Sequence, residues 1–221
     1  FMNLSLFQNP PESSSHCFSK SYPKTQIDTD LISSTLSSHG YRFCEFIGIG
    51  SSAMVARIWS EKYQQDFAAK IYSLTNPSVL KAFSTEIKSL QSLIHPNIIL
   101  IYGHFSDKQY FYIILEYCPY GNLSYNTDKF RRNYMELTRQ LLDAFAYIHS
   151  QNICHSDIKP GNILIDRHMN LKIADFGLSY IHHLQSTSID DNRKGNYADP
   201  KSISLRRRAG SKYFVAPELN S

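Results

Sequence analysis

Hydrophobic and polar positions change rhythm twice along the chain. Residues 1–38 scatter apolar side chains among Ser, Asn and Pro, with serine runs at 13–15, 33–34 and 37–38. Such a segment buries too little to offset its ordering entropy, so a disordered tail is expected over 1–38. From Tyr41 the pattern becomes strand-like. FCEFIGIG (43–50) and MVARIWSEKY (54–63) read as two strands joined by a small-residue turn, and DFAAKIYSL (66–74) as a third. Asn76-Pro77-Ser78 then opens a helix through Leu93, in which Leu80, Phe83, Ile87 and Leu90 recur at three- and four-residue steps. Two more strands, 98–104 and 110–116, flank a turn at Ser106-Asp107-Lys108-Gln109.

After Pro119-Tyr120-Gly121-Asn122 the period turns helical. Across 131–150, Leu137, Leu141, Phe145 and Ile148 form a stripe, with Leu142 and Ala146 beside it, which predicts a helix packed on a core. Short strand-like pieces at 163–165 and 171–173 flank Arg167-His168-Met169-Asn170, and the polar run 179–209 has no period. No internal repeat is present. The expected class is α+β and bilobal: five antiparallel strands and one main helix in a first lobe (39–117), then an incomplete, mostly helical second lobe (118–221).

Composition narrows this only modestly. With 221 residues, 42% hydrophobic and 19% charged, the chain suffices for one large domain or two small ones. Apolar runs such as 111–115 are far too short to span a bilayer, and Pro10-Pro11 interrupts an N-terminal patch that has no basic flank, so neither a membrane span nor a signal peptide is expected. Cys17, Cys44, Cys118 and Cys154 match no zinc or redox spacing, which points to reduced thiols in the cytoplasm, with the nucleus as alternative. The net charge of +4 is uneven: Arg193, Lys194, Lys201, Arg206, Arg207, Arg208 and Lys212 face only Asp199. No aromatic interleaving or nucleic-acid module accompanies that run, so it reads as a solvated loop and not as a nucleic-acid surface.

Chemistry enters at Gly48-Ile49-Gly50-Ser51-Ser52-Ala53, where a hairpin turn of small residues lets backbone N–H groups approach phosphate oxygens. A tight turn needs no more than this, so the motif alone is weak. Lys70, on the third strand among apolar neighbours, requires anionic partners, and Glu86 on the following helix can supply one; singly, each also fits a surface charge. The order of the motifs C-terminal to Glu86 decides: His95-Pro96-Asn97, Leu115-Glu116-Tyr117-Cys118, Cys154-His155-Ser156-Asp157-Ile158-Lys159-Pro160-Gly161-Asn162, Asp175-Phe176-Gly177 and Ala216-Pro217-Glu218. From Tyr41 to Glu218 the chain resembles the eukaryotic protein kinases, whose signatures occur in this order.

That resemblance implies ATP and Mg2+ as cofactors and protein Ser/Thr hydroxyls as acceptors. By it, Lys70 holds the α- and β-phosphates and pairs with Glu86, Asp175 and Asn162 bind magnesium, Asp157 accepts the hydroxyl proton, and Lys159 neutralises the transferring phosphoryl. Ile47, Gly48, Gly50, Val55, Ala68, Leu115 and Leu164 would surround the nucleotide, and the backbone of Glu116 and Cys118 would meet the adenine edge. Leu90, Ile101, His155 and Phe176 match the stack that joins the lobes in active kinases. Lys159 and Ser211 resemble the Ser/Thr-directed kinases, where a hydroxyl at Ser211 bonds the catalytic Asp and Lys.

Three departures accompany the match. Ala53 replaces a glycine, at a cost of about 1 kcal/mol if the position demands positive φ. Ser156 stands where the family has an Arg that pairs with a phosphorylated residue, and Tyr180 where a second base is common. The long segment 178–209 is therefore expected to answer to a regulatory partner or to act as an autoinhibitory element more than to phosphorylation. Finally, the family's larger lobe continues with several helices beyond Ala-Pro-Glu, so a fragment that folds poorly alone is expected. Against catalysis stands one competing reading, a weak or inactive kinase-like module that binds nucleotide or a partner.

Overall fold

A computed structural model describes residues 27–50, 53–74, 77–125 and 134–181. The expectations for the first 26 residues, the segment 182–221, Ser211 and Ala216-Pro217-Glu218 lie outside the described residues.

The element order is α1 (Thr29–Ser38), β1 (Tyr41–Ile49), β2 (Met54–Ser60), β3 (Gln65–Ser73), α2 (Pro77–Gln91), β4 (Ile101–Ser106) and β5 (Tyr110–Glu116), then α3 (Tyr134–Ser150), β6 (Ile153–Cys154), β7 (Ile163–Ile165), β8 (Leu171–Ile173) and β9 (Tyr180–Ile181). Strands β1 to β5 form one sheet in the order β1-β2-β3-β5-β4, antiparallel throughout. β7 pairs with β8, and β6 with β9, in two small antiparallel ladders.

Both faces of the large sheet are covered, so apolar residues of DFAAKIYSL are buried on both sides of β3. Successive side chains leave opposite faces of a strand. Phe67, Ala69 and Ile71 pack with Ala56, Ile58, Tyr112 and Ile114 in one core, whereas Ala68 and Tyr72 join Ile113 and Leu115 in another, with α2 and the second lobe. Lys70, between Ala68 and Tyr72, therefore emerges on the face that meets the second lobe.

The first core contains a correction. Residues 29–38 are α1 and not part of a disordered tail: Ile32 and Leu36, one turn apart, are fully buried in that core. Asp28 caps the helix by accepting from Leu31 N at 2.9 Å, and Gly40, at φ 81°, ends it. Thr35 Oγ1 donates to Asp107 at 2.8 Å and His39 stacks on Phe105, tying α1 to the β4–β5 turn. Burying two such side chains is worth about 1.5–3 kcal/mol each as an upper estimate.

Smaller corrections concern faces and ends. In α2, Phe83, Ile87 and Leu90 are buried as expected, but Leu80 is exposed and Val79 takes its place. In α3 the stripe from Leu137 to Ile148 faces the core, yet Leu142 and Ala146 point outward; Gln140 and Ala144 are the buried neighbours. β4 begins at Ile101, because Ile98 and Ile99 turn away to bond β8: Ile99 N donates to Ile173 O at 2.9 Å. No helix among the described residues is long and apolar enough to cross a membrane.

Candidate active site

Lys70 is aimed from the centre of β3 at two carboxylates. Its Nζ lies 2.9 and 2.8 Å from Glu86 Oε1 and Oε2 and 2.8 Å from Asp175 Oδ1. Glu86, on the inward face of α2, has no exposed surface, whereas the Asp175 side chain keeps 43% of its own. Burial works to strip the Lys70 proton, but the charges of Glu86 and Asp175 outweigh it and hold the ammonium well above its ordinary value. Burial likewise works to raise the Asp175 carboxyl, and the adjacent Lys70 cation overrides it, keeping the group below the usual carboxylate range.

A second cluster forms in the loop between β6 and β7. Lys159 Nζ contacts Asp157 Oδ2 at 2.6 Å. Asn162 Nδ2 donates to the Asp157 carbonyl at 2.9 Å and to Oδ2 at 3.0 Å, so its amide oxygen is left on the opposite side as an acceptor. Ala174 N donates to Asn162 O at 2.9 Å, which fixes this loop against the residue before Asp175. His155 reinforces the same junction. Its Nε2 donates to Ala174 O at 3.0 Å while Nδ1 accepts from Asp157 N at 3.3 Å, the pattern of a neutral ring. Burial accordingly holds His155 below the usual histidine value.

Of the stack expected between lobes, the contact of His155 with Phe176 is present. Leu90, Ile101 and Phe176 share one core cluster, and the His155 ring lies 4.6 Å from that of Phe176. Asp175 itself sits at φ 66° and Ser156 at φ 67°, two left-handed positions flanking the cluster. Left-handed backbone in non-glycine residues persists only where the surroundings over-determine it, and it concentrates at functional sites.

The described residues on either side of the small-residue turn are paired. Gly48 pairs with Val55 and Ile49 with Met54, and Gly50 N donates to Ala53 O at 2.9 Å. A Cβ on Gly50 would meet that carbonyl oxygen at 3.3 Å, a close contact that favours glycine there. Residues 51 and 52 lie outside the described residues, so the backbone expectation for Ala53 lies outside them as well. Ile47 is 47% exposed, while Val55 and Leu164 are half-buried and Ala68 and Leu115 buried in the core shared by both lobes. β5 ends at Glu116, whose Oε1 pairs with Lys172 Nζ at 2.9 Å, and Cys118 follows, buried.

The family model for the protein kinase domain matches residues 41–220. The chain belongs to this family. Among curated proteins, this kinase domain is 31% identical over 196 residues to "Serine/threonine-protein kinase PKH3" of Eremothecium gossypii, covering 83% of this chain and 25% of that protein. It is 32% identical over 190 residues to "3-phosphoinositide-dependent protein kinase B" of Dictyostelium discoideum, covering 83% and 20%. To "Serine/threonine protein kinase OSK3" of Oryza sativa it is 33% identical over 187 residues, covering 81% and 36%. The chain thus spans between 20% and 36% of the length of these relatives.

In this kinase domain the donors fit what the family uses, ATP with a metal ion. Among the described residues there is no cluster of three His, Cys, Asp or Glu side chains that could cage a metal by itself. One carboxylate and one amide oxygen, from Asp175 and Asn162, suit a hard divalent cation that fills its shell with water and phosphate oxygens. One functional candidate escapes a motif-based reading. Tyr72 donates its hydroxyl to Glu86 Oε2, and the signal was its spacing: two residues from Lys70 on a strand places both on one face.

Proposed function

We propose that this chain is an ATP- and Mg2+-dependent protein kinase that transfers the γ-phosphoryl group of ATP to serine or threonine hydroxyls of proteins. The observation that carries the reading is the convergence of two charge clusters, Lys70–Glu86–Asp175 and Asp157–Lys159–Asn162, from elements as much as 105 residues apart in sequence. A scaffold that only bound partners would need none of these six. Nucleotide and metal bring an activated phosphoryl group whose charge the ion spreads. The remaining chemistry belongs to the chain: Lys70 holds phosphate oxygens, kept aimed by Glu86, and Asp175 and Asn162 offer the cation their oxygens. Asp157 orients the acceptor hydroxyl and takes its proton as the oxygen bonds to phosphorus and the bond to the leaving diphosphate breaks. Lys159 offsets charge on the moving group. General-base positioning supplies about 10²–10⁴ in rate, and the phosphate-directed electrostatics usually more.

Regulation by a partner at 178–209 belongs to the same proposal. Ser156 and Tyr180 supply no cation where a phosphorylated residue would dock, and Ser156 is exposed with its hydroxyl 3.5 Å from Cys154 O. Transfer of radiolabel from ATP to a Ser/Thr peptide, with Asp157→Asn as control, tests the reading. Loss of at least about 10²-fold in the control supports it; equal signal from both proteins refutes it and leaves the non-catalytic module.

A further inference from the structure

Tyr72 follows Lys70 by two residues on β3 and is 1% exposed. Its hydroxyl donates to Glu86 Oε2, the oxygen that also receives Lys70 Nζ at 2.8 Å. Lys70 Nζ lies 5.4 Å from the centre of the Tyr72 ring, and the ring meets Phe83 of α2 edge-on at 5.9 Å. One side chain of β3 therefore touches the cation, the carboxylate and the helix that carries the carboxylate. Burial, and then the charge of Glu86, push the phenol above its ordinary value, so it remains a proton donor.

Lys70 cannot fix Glu86 alone. Its ammonium is shared with Asp175, and a bound phosphate would claim part of it as well. It is also a point charge on a flexible stem, which tolerates many carboxylate orientations. A carboxylate accepts at about four sites, and a donor on a rigid, buried ring selects one orientation. We infer that Tyr72 is a positioning residue: its hydroxyl holds the Glu86 carboxylate, and α2 with it, where Glu86 keeps Lys70 directed at the nucleotide phosphates. This rests on the proposed nucleotide-binding role of Lys70.

A double-mutant cycle of Tyr72→Phe and Glu86→Gln tests it, because phenylalanine keeps the ring contacts and removes only the hydroxyl. Two readouts are taken on each protein: binding of a fluorescent N-methylanthraniloyl-ADP with Mg2+, and transfer to a serine peptide with KM for ATP and for peptide measured separately. Tyr72→Phe should weaken nucleotide binding about tenfold, the size expected for a hydrogen bond to a charged group. The loss should appear in KM for ATP or in kcat, and not in KM for the peptide. In the Glu86→Gln background the same change should alter neither readout by more than about twofold. Equal losses in both backgrounds would make Tyr72 a packing residue and overturn the inference, as would unchanged binding in Tyr72→Phe. If Tyr72→Phe alone is too unstable to purify while the double variant is not, the hydroxyl acts through Glu86 as proposed; if both are unstable, the inference fails. A wild type that binds nucleotide but transfers no phosphoryl defeats the proposed function, while the binding arm of the cycle still decides Tyr72. A wild type that binds no nucleotide defeats both.

Discussion

Replacing Lys70 by Met removes the cation at the centre of the site and leaves its neighbours in place. Lys70 Nζ bridges both oxygens of Glu86 at 2.8 and 2.9 Å, and Glu86 has no exposed side-chain surface. In the variant the carboxylate keeps the Tyr72 hydroxyl and loses its counter-charge in a dry setting. Breaking a buried pair by deleting one partner costs about 3–5 kcal/mol, largely from the stranded charge. Asp175 loses Lys70 too, but with 43% of its side chain exposed, water replaces the cation and the added cost is small. In a domain of this size 1 kcal/mol corresponds to about 2–4 °C, so Lys70→Met should melt about 6–20 °C below the wild type. Lys70→Met/Glu86→Gln removes the stranded charge and should recover about half of that loss or more, while nucleotide binding and phosphoryl transfer stay absent. Thermal melts followed by circular dichroism at one protein concentration, with transfer assays on the same samples, check both halves. A single variant melting within about 2 °C of the wild type, or a double variant melting below the single, would refute the reasoning from buried charge.

Other outcomes rest on burial alone. Ile32→Ala, at a site with no exposure under α1, should cost about 2–5 kcal/mol in urea unfolding, and a cost below about 0.5 kcal/mol would mean that α1 is not part of the first core. Burial holds both His95 and His155 below the usual histidine value. The unfolded chain therefore takes up protons near pH ~6.5 before the folded one does, and stability is full above that value and falls as pH drops through it. His155→Phe should flatten the fall between about pH 7 and 5, and an unchanged slope would exclude His155 as a contributor. Burial pushes the Cys118 thiol up to about 12, so iodoacetamide at pH ~8 should modify the exposed Cys154 while Cys118 reacts only after denaturation; mass spectrometry of the native digest reads this directly.

What was legible in the sequence had a strong period or a fixed spacing. Strands β2, β3 and β5 could be read because apolar β-branched and aromatic runs end at turn residues, and Lys70, Glu86, Asp157, Asn162 and Asp175 because their order matches the family. Helix α1 was not legible. Ile32 and Leu36 are its fully buried residues, with Leu31 partly buried beside them; these are three apolar positions among four serines, and the composition signal of a disordered segment outweighs them. The start of β4 failed differently: Ile98 and Ile99 are as apolar as a strand requires, but their backbone partner is Ile173 of β8, and no local pattern identifies a partner seventy-odd positions on. Tyr72 lies between these cases. Strand alternation placed it beside Lys70, but a buried tyrosine on an apolar strand face looks like core until the carboxylate at its hydroxyl is seen.

Ser156 shows how a changed motif residue can leave a site intact. It lies in the left-handed region at φ 67°, between His155, buried against Phe176 and bonded to Ala174 O, and Asp157, held by Lys159 and Asn162. Its neighbours dictate that backbone: the reversal sends 155 inward and 157 into the site, and leaves the side chain of 156 exposed. Nothing in the chemistry reaches that side chain, so what occupies position 156 matters only for its fit to φ and for whatever approaches from outside. Ser156→Gly removes the Cβ clash of the left-handed region, about 1–2 kcal/mol, and gives back about 0.4–1 kcal/mol through the freer unfolded chain. Its melting temperature should equal the wild type's or rise by up to about 6 °C, and its transfer rate should stay within about twofold. Ser156→Val keeps charge and size nearly constant but is β-branched, which the left-handed region rejects. It should therefore lose stability, and it should lose transfer in step, because the strain is relieved by moving His155 and Asp157. If Val melts like Ser and transfers as fast, the loop is not over-determined by its flanks, and the case for Ser156 as a change outside the chemistry fails with it.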